Sequence, residues 1–547
     1  MIMKKYRYSK LGWVLCLFMF SCYDLTELNV NPNGVDPNKA NPNLVLSTVL
    51  SETGMEYTRM NFDDIMGGLM QHTQKDGWVG AHNEYDWGGN QSWAGWYSIL
   101  RDNQYVHDRS VELGYELHQG ITLVMKSMIF GIITDLWGDA PYSAALKGAA
   151  GGSENTFPVY DSQEAIYTGI LADLEKANAL LSKPANEYTG TTGSADIYYG
   201  GNPTKWRKLA NSLALRYYNR ISAKKPDVAK AGIEKIVGNA EQYPLITGAA
   251  DDANMAFAGN SNADSWPANA VYDANGSNFR RIKMCATLVG KLLDLKDPRI
   301  GVWAAKVQTP LVLDTTLTGV VDRIENGKRI LSKQRVAGLS IDTHPEYVGL
   351  PPGMLGGAAY NLSPTAEQAA NNPHVSWLND IYRQAKGTHL KARLMSAAEV
   401  NFILAEAAQR GWNVGNAQTH YNNAIKASFD AWGIGSAYAA YIASDKVKYD
   451  GTLKQLIEQK WIASWTAASQ SWFDYRRTGF PEIQPGAQAV RKAIPLRFFY
   501  MLDERNLNKV NADAAMSRME ITPFSGPEGG NSAWSKMWVL QGTGKPW

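Results

Sequence analysis

Residues 121–141 read ITLVMKSMIFGIITDLWGDAP. Val124, Met125, Met128, Ile129, Ile132, Ile133, Leu136 and Trp137 recur at spacings of three and four, which predicts a helix with one broad apolar face. Gly138 followed by Pro141 predicts where it stops. The same period returns from Asp161, where Glu164 completes an expected capping box ahead of Tyr167, Ile170, Leu174 and Ala177. It returns again from Trp206 through Leu209, Ala210 and Leu213. Further on, Ser396 and Glu399 form a second expected capping box, and Gly411 ends that helix. Ala417, Tyr421, Ala424 and Ile425 then mark its partner across a short Gly/Asn turn. The small and aromatic spacing of that second helix suggests a degenerate helical-hairpin repeat of the tetratricopeptide kind. Strand content is expected to be small, with Leu311 to Val321 as the one hairpin candidate.

A chain of 547 residues with 45% hydrophobic and 11% aromatic content is long and apolar enough to fold. Its 54 basic and 52 acidic residues nearly cancel, so no field is available to attract nucleic acid. Between the helical blocks, residues 242–282 and 310–372 are rich in Gly, Asn and Pro. Loops of that length are expected to be functional or to pack as a lobe of their own.

Lys4, Lys5, Arg7 and Lys10 precede an apolar run from Leu11 to Phe20, too short to cross a bilayer and therefore read as a secretory leader over residues 1–21. Met19-Phe20-Ser21-Cys22 resembles a bacterial lipobox, with bulky Phe20 as its departure, which makes Cys22 the expected lipidation site. Ordinary leader cleavage near Ser21 is the alternative. Asp24 and Glu27 are similar to an acidic surface-export tag. Residues 22–43 are expected to be a tether and residues 44–547 the folded body.

Enzyme chemistry lacks a signature. There is no G-x-S-x-G, H-E-x-x-H or phosphate-cradling glycine loop, and His72 and His82 have no metal spacing, so no cofactor or metal is expected. Asp273-Ala-Asn-Gly276 reads as a surface turn in preference to a calcium loop. A pair of carboxylates for glycoside hydrolysis has no positive sign among 52 acids.

The aromatic concentration is the positive signal. Residues 77–97 hold Trp78, Tyr85, Trp87, Trp93, Trp96 and Tyr97 among glycines and amides. Trp93, Trp96 and Tyr97 have helical spacing and read as core. Trp78, Tyr85 and Trp87 follow no buried-face period, and an exposed stacking platform is expected there, with Asn83, Glu84, Asp86 and Asn90 free to pair with hydroxyls. Trp266, Tyr272, Asn278, Arg280, Tyr347 and Tyr360, from the long loops, are candidates for the opposite wall.

These blocks together resemble the SusD/RagB family of outer-membrane nutrient-binding lipoproteins. The residues that carry the likeness are Phe130 to Tyr142 (FGIITDLWGDAPY), with Trp137 where the family has Phe, and Lys205 to Arg216 (KWRKLANSLALR). Asp297 to Arg299, Tyr347 to Gly353, Ala397 to Glu399, Leu404 to Ala407, Gln459 to Trp461, Trp472, Arg476 to Gly479 and Ile494 to Arg497 follow in the family's order. The resemblance implies a mainly α-helical, tetratricopeptide-like scaffold carrying a loop-rich ligand-binding lobe. It implies oligosaccharide or, alternatively, oligopeptide binding without catalysis, and a partner, a SusC-like TonB-dependent barrel transporter. It also implies attachment to the outer membrane through lipid on Cys22. Arg216, Arg476, Arg477 and Arg497 are expected to bind helix-end carbonyls or buried acids, not ligand.

Overall fold

The computed structural model describes residues 40–547; the leader, Cys22 and residues 22–39 of the expected tether lie outside the described residues. The longer helices are α1 (Asn43–Thr58), α2 (Ala94–Glu112), α3 (Glu116–Trp137), α4 (Gln163–Leu180), α5 (Pro203–Ile221), α6 (Pro226–Gly238), α7 (Ala397–Gln409), α8 (Ala417–Ala431), α9 (Leu453–Ala463) and α10 (Ala468–Thr478). In the first block α1 to α6 pack mostly against their sequence neighbours, and in the second α7 packs on α8 and α9. The two blocks meet where α5 crosses α7. There Arg216 makes two 2.7 Å hydrogen bonds to the Glu399 carboxylate and a third to the Leu394 carbonyl.

The expected one-faced helix is buried nearly all round: from Ile121 to Trp137 only Lys126 escapes burial. α3 is long and apolar enough to cross a membrane, yet its apolar window is 94% buried inside the protein. Its polar residues are satisfied internally, as burial demands. Tyr167 donates to Asp135 at 2.7 Å, and Thr134 donates to the Gly138 carbonyl at 2.8 Å.

A helix leaves its last four carbonyls without intrahelical partners. At the end of α3 these are met from far along the chain. Gln163 donates to Thr134 O, Arg476 to Asp135 O, the Phe498 N–H to Leu136 O and Arg497 to Trp137 O. The arginines thus bind helix-end carbonyls, while Arg477 joins the buried acids Glu406 and Asp474. Trp137 donates its indole N–H to Phe499 O at 2.9 Å, a bond that a Phe at this position could not make.

Caps follow the sequence with two changes. Ser162, not Asp161, caps α4 by accepting from the Ala165 N–H. Asp161 instead accepts from the N–H groups of Tyr142 and Ser143 and closes the turn after Pro141. Ser396 caps α7 as expected, but the Glu399 carboxylate turns to Arg216 and does not complete the box.

Seven short strands are present among the described residues: β1 (Thr73–Lys75), β2 (Ala253–Ala256), β3 (Ile282–Met284), β4 (Leu311–Asp314), β5 (Asp322–Glu325), β6 (Lys328–Ser332) and β7 (Lys391–Met395). The hairpin is not where the sequence suggests. β4 pairs parallel with β6, and the hairpin joins β5 to β6 across Asn326 and Gly327, both at positive φ. Asn-Gly is the residue pair that such a two-residue turn favours, and it was the signal to read. A small satellite core of Leu311, Leu331 and Val336 lies beneath this sheet.

Candidate functional site

β1 pairs antiparallel with β3, Lys75 opposite Ile282, and the ladder continues as the Asp76 N–H donates to Arg281 O. The Asp76 carboxylate then pairs with Lys283 at 3.2 Å and accepts from the Ala369 N–H. At Gly77 a Cβ would lie 1.9 Å from the Gln368 side chain, so any larger residue here would have to displace that side chain. These contacts bring Trp78, at φ 53°, over Arg281. The guanidinium covers one face of the indole, and the ring is 75% exposed.

The remaining expected platform residues are elsewhere. Tyr85 is 1% and Trp87 2% exposed, because the Gly80–Glu84 turn folds them inward. Trp87 donates to Ala81 O and meets Phe498 edge-on at 5.0 Å. Asn83 is consumed by the backbone of Lys75, accepting from its N–H and donating to its carbonyl. Trp266 is buried against Phe62 and Phe257, and Tyr347 is buried as well. Tyr272 is exposed, but its hydroxyl is tied to Gly259 O and it does not line the cleft beside Trp78. Asp273 accepts from Asn275, Ser277 and Asn278, which makes its loop a turn. Trp93 and Trp96 are core, as their spacing predicts.

Trp78 stands at a cleft of about 450 Å³, within the range of small-molecule sites. Its apolar wall includes edges of Trp87, Trp96, Trp137 and Phe498. Its polar wall carries Glu56, Asp64, Lys75, His82, Asp86, Asn90 and Gln91. The buried His82 donates from Nδ1 to Asp64 O, and its Nε2 lies 3.1 Å from the Thr73 hydroxyl. Burial pushes its pKa down to about 3, so the ring is neutral. Burial, reinforced by Asp63, pushes the Asp64 carboxyl up to about 6, and burial also raises Glu56. A second hollow of about 530 Å³ lies beside Trp93 and Tyr97, but neither indole nor phenol there presents an open face like that of Trp78. Among the described residues no group of three or more His, Cys, Asp or Glu side chains could hold a metal ion. The arrangement can stack a ring and pair polar groups around it.

A SusD-like family model, described as "Starch-binding associating with outer membrane", matches residues 34–501. The chain belongs to the SusD-like family. Solved SusD-like structures share its fold. A SusD homologue from Bacteroides fragilis is 24% identical, with 92% of this chain and 99% of that one covered and a TM-score of 0.69. A chitin-binding SusD homologue from Flavobacterium johnsoniae is 24% identical over 91% of this chain and 97% of that one, with a TM-score of 0.66. A SusD homologue from Bacteroides thetaiotaomicron is 20% identical over 90% and 98%, with a TM-score of 0.68. No curated protein sequence matches the chain. The mainly helical, tetratricopeptide-like SusD architecture expected from the sequence is the one observed.

Proposed function

We propose that this SusD-like protein is a lipid-anchored binder at the outer surface of the outer membrane. It captures extracellular oligosaccharides in the Trp78 cleft and passes them to a SusC-like TonB-dependent barrel transporter, closing over it as a lid. It acts by binding, without catalysis. The observation that carries the reading is the Trp78 indole, held on one face by Arg281 and open on the rest, beside a polar-walled cleft. A pyranose presents a C–H face that stacks on such a ring, while its hydroxyls find carboxylates and amides.

Calorimetry with a panel of glycans and peptides tests it. Saccharide binding that Trp78→Ala removes supports the cleft, and saccharide binding that survives this substitution refutes it. Peptide binding with no saccharide binding would favour the oligopeptide reading. For the anchor, Cys22→Ala should abolish palmitate labelling and release the protein from the membrane fraction.

A further inference from the structure

We propose that the Trp78 cleft selects saccharides bearing a free ammonium group, glucosamine-type residues, over their neutral N-acylated counterparts. The inference rests on the saccharide reading of the cleft given above.

The polar wall is unbalanced in charge. Glu56, Asp64 and Asp86 all line it, and none of these carboxylates makes a hydrogen bond or ion pair with another described residue. Lys75 is the cation on the same wall, and its ammonium is turned to Asp63 at 3.6 Å. His82 is neutral, and Arg59, just past the end of the Glu56 helix, is exposed and offsets only part of the burial cost at Glu56. Lys75 and Arg59 offset only part of the cost at Asp64, whose carboxylate makes no ion pair with either. An ammonium on a sugar stacked against Trp78 supplies three donors and a positive charge together. An N-acetyl group supplies neither the charge nor the extra donors. A lysine side chain would satisfy the acids equally but leaves the flat indole face without a ring to stack on it, which favours the sugar.

The test is titration calorimetry near pH 6.5 at low salt, with a glucosamine pentamer and an N-acetylglucosamine pentamer. The glucosamine pentamer should bind wild type about tenfold tighter, and raising the salt should shrink the difference. In a Glu56→Gln, Asp64→Asn double variant, checked for native circular dichroism, the ratio of glucosamine to N-acetylglucosamine affinity should fall to about twofold or less, whatever the change in absolute affinity. Equal or weaker glucosamine binding by wild type, or a preference that survives the double variant, overturns the proposal. So does binding of a lysine-bearing peptide in place of either saccharide. Trp78→Ala separates the two levels. If it leaves saccharide binding intact, the saccharide reading of the cleft fails; if it abolishes binding and wild type shows no ammonium preference, only the present inference fails.

Discussion

The guanidinium carbon of Arg281 lies 3.9 Å from the centroid of the Trp78 ring, so the exposed indole of the cleft is held by a buried cation. Arg281 does not line the cleft, yet it fixes the ring's tilt and rotamer. Arg281→Ala should weaken saccharide binding about three- to tenfold by calorimetry, from the lost cation–π contact and the freed indole. Arg281→Lys should restore only part of it, since the planar stacking surface is gone.

Trp78 and Trp87 should separate cleanly under substitution. Trp78→Ala should change the urea unfolding free energy by no more than about 0.5 kcal/mol, as an exposed ring, while binding is lost. Trp87→Ala empties a site packed against Phe498 and Trp472 and strands the Ala81 carbonyl, which should cost about 3–5 kcal/mol.

The Asp64 carboxyl is raised from 3.8 to about 6 by burial and by Asp63 and Glu56, with Lys75 and Arg59 opposing. Between those values the unfolded chain holds fewer protons than the folded one, so this group's contribution to stability falls as pH rises through the window. Because the Asp64 residue is open to solvent, Asp64→Asn should raise the unfolding midpoint only slightly at neutral pH and have little effect below pH 3.8.

The Glu406 carboxyl shows the opposite sign. Burial works to raise its pKa, but Arg477 and Arg410 hold it far below the ordinary 4.5. Its stabilisation is complete above that value and is lost as pH falls further. Glu406→Gln should cost about 3–5 kcal/mol near neutrality by leaving Arg477 poorly paired, and the variant should lose part of the wild type's acid sensitivity in urea unfolding.

Much of the helical scaffold was legible because a period of three and four survives in residues such as Met128, Ile132 and Tyr421, whatever they pack against. The arginine roles were legible too, since a guanidinium among apolar helix residues must find acids or carbonyls. The site was legible only in part. Tyr85, Trp87 and Asn83 looked free because their segment has no helical or strand period, but the fold buries them through turns whose bonds run from Trp87 to Ala81 and from Asn83 to Lys75. Aperiodic backbone can be interior when its polar groups are met locally, and no spacing reports that. The Asn326-Gly327 turn, in contrast, was plainly written and went unread in favour of the apolar run at Leu311.

The closing of α3 by Gln163, Arg476, Phe498 and Arg497 sets an order on synthesis. This long, largely buried helix is made within about the first quarter of the chain but is not finished at its end until more than three hundred further residues have been added. A chain that ends before Arg476 has no partners from this set for the carbonyls of Asp135, Leu136 and Trp137. Nascent chains of this protein must therefore be kept from one another until the last segment arrives, and truncation near the C-terminus should harm the whole scaffold, not merely its edge.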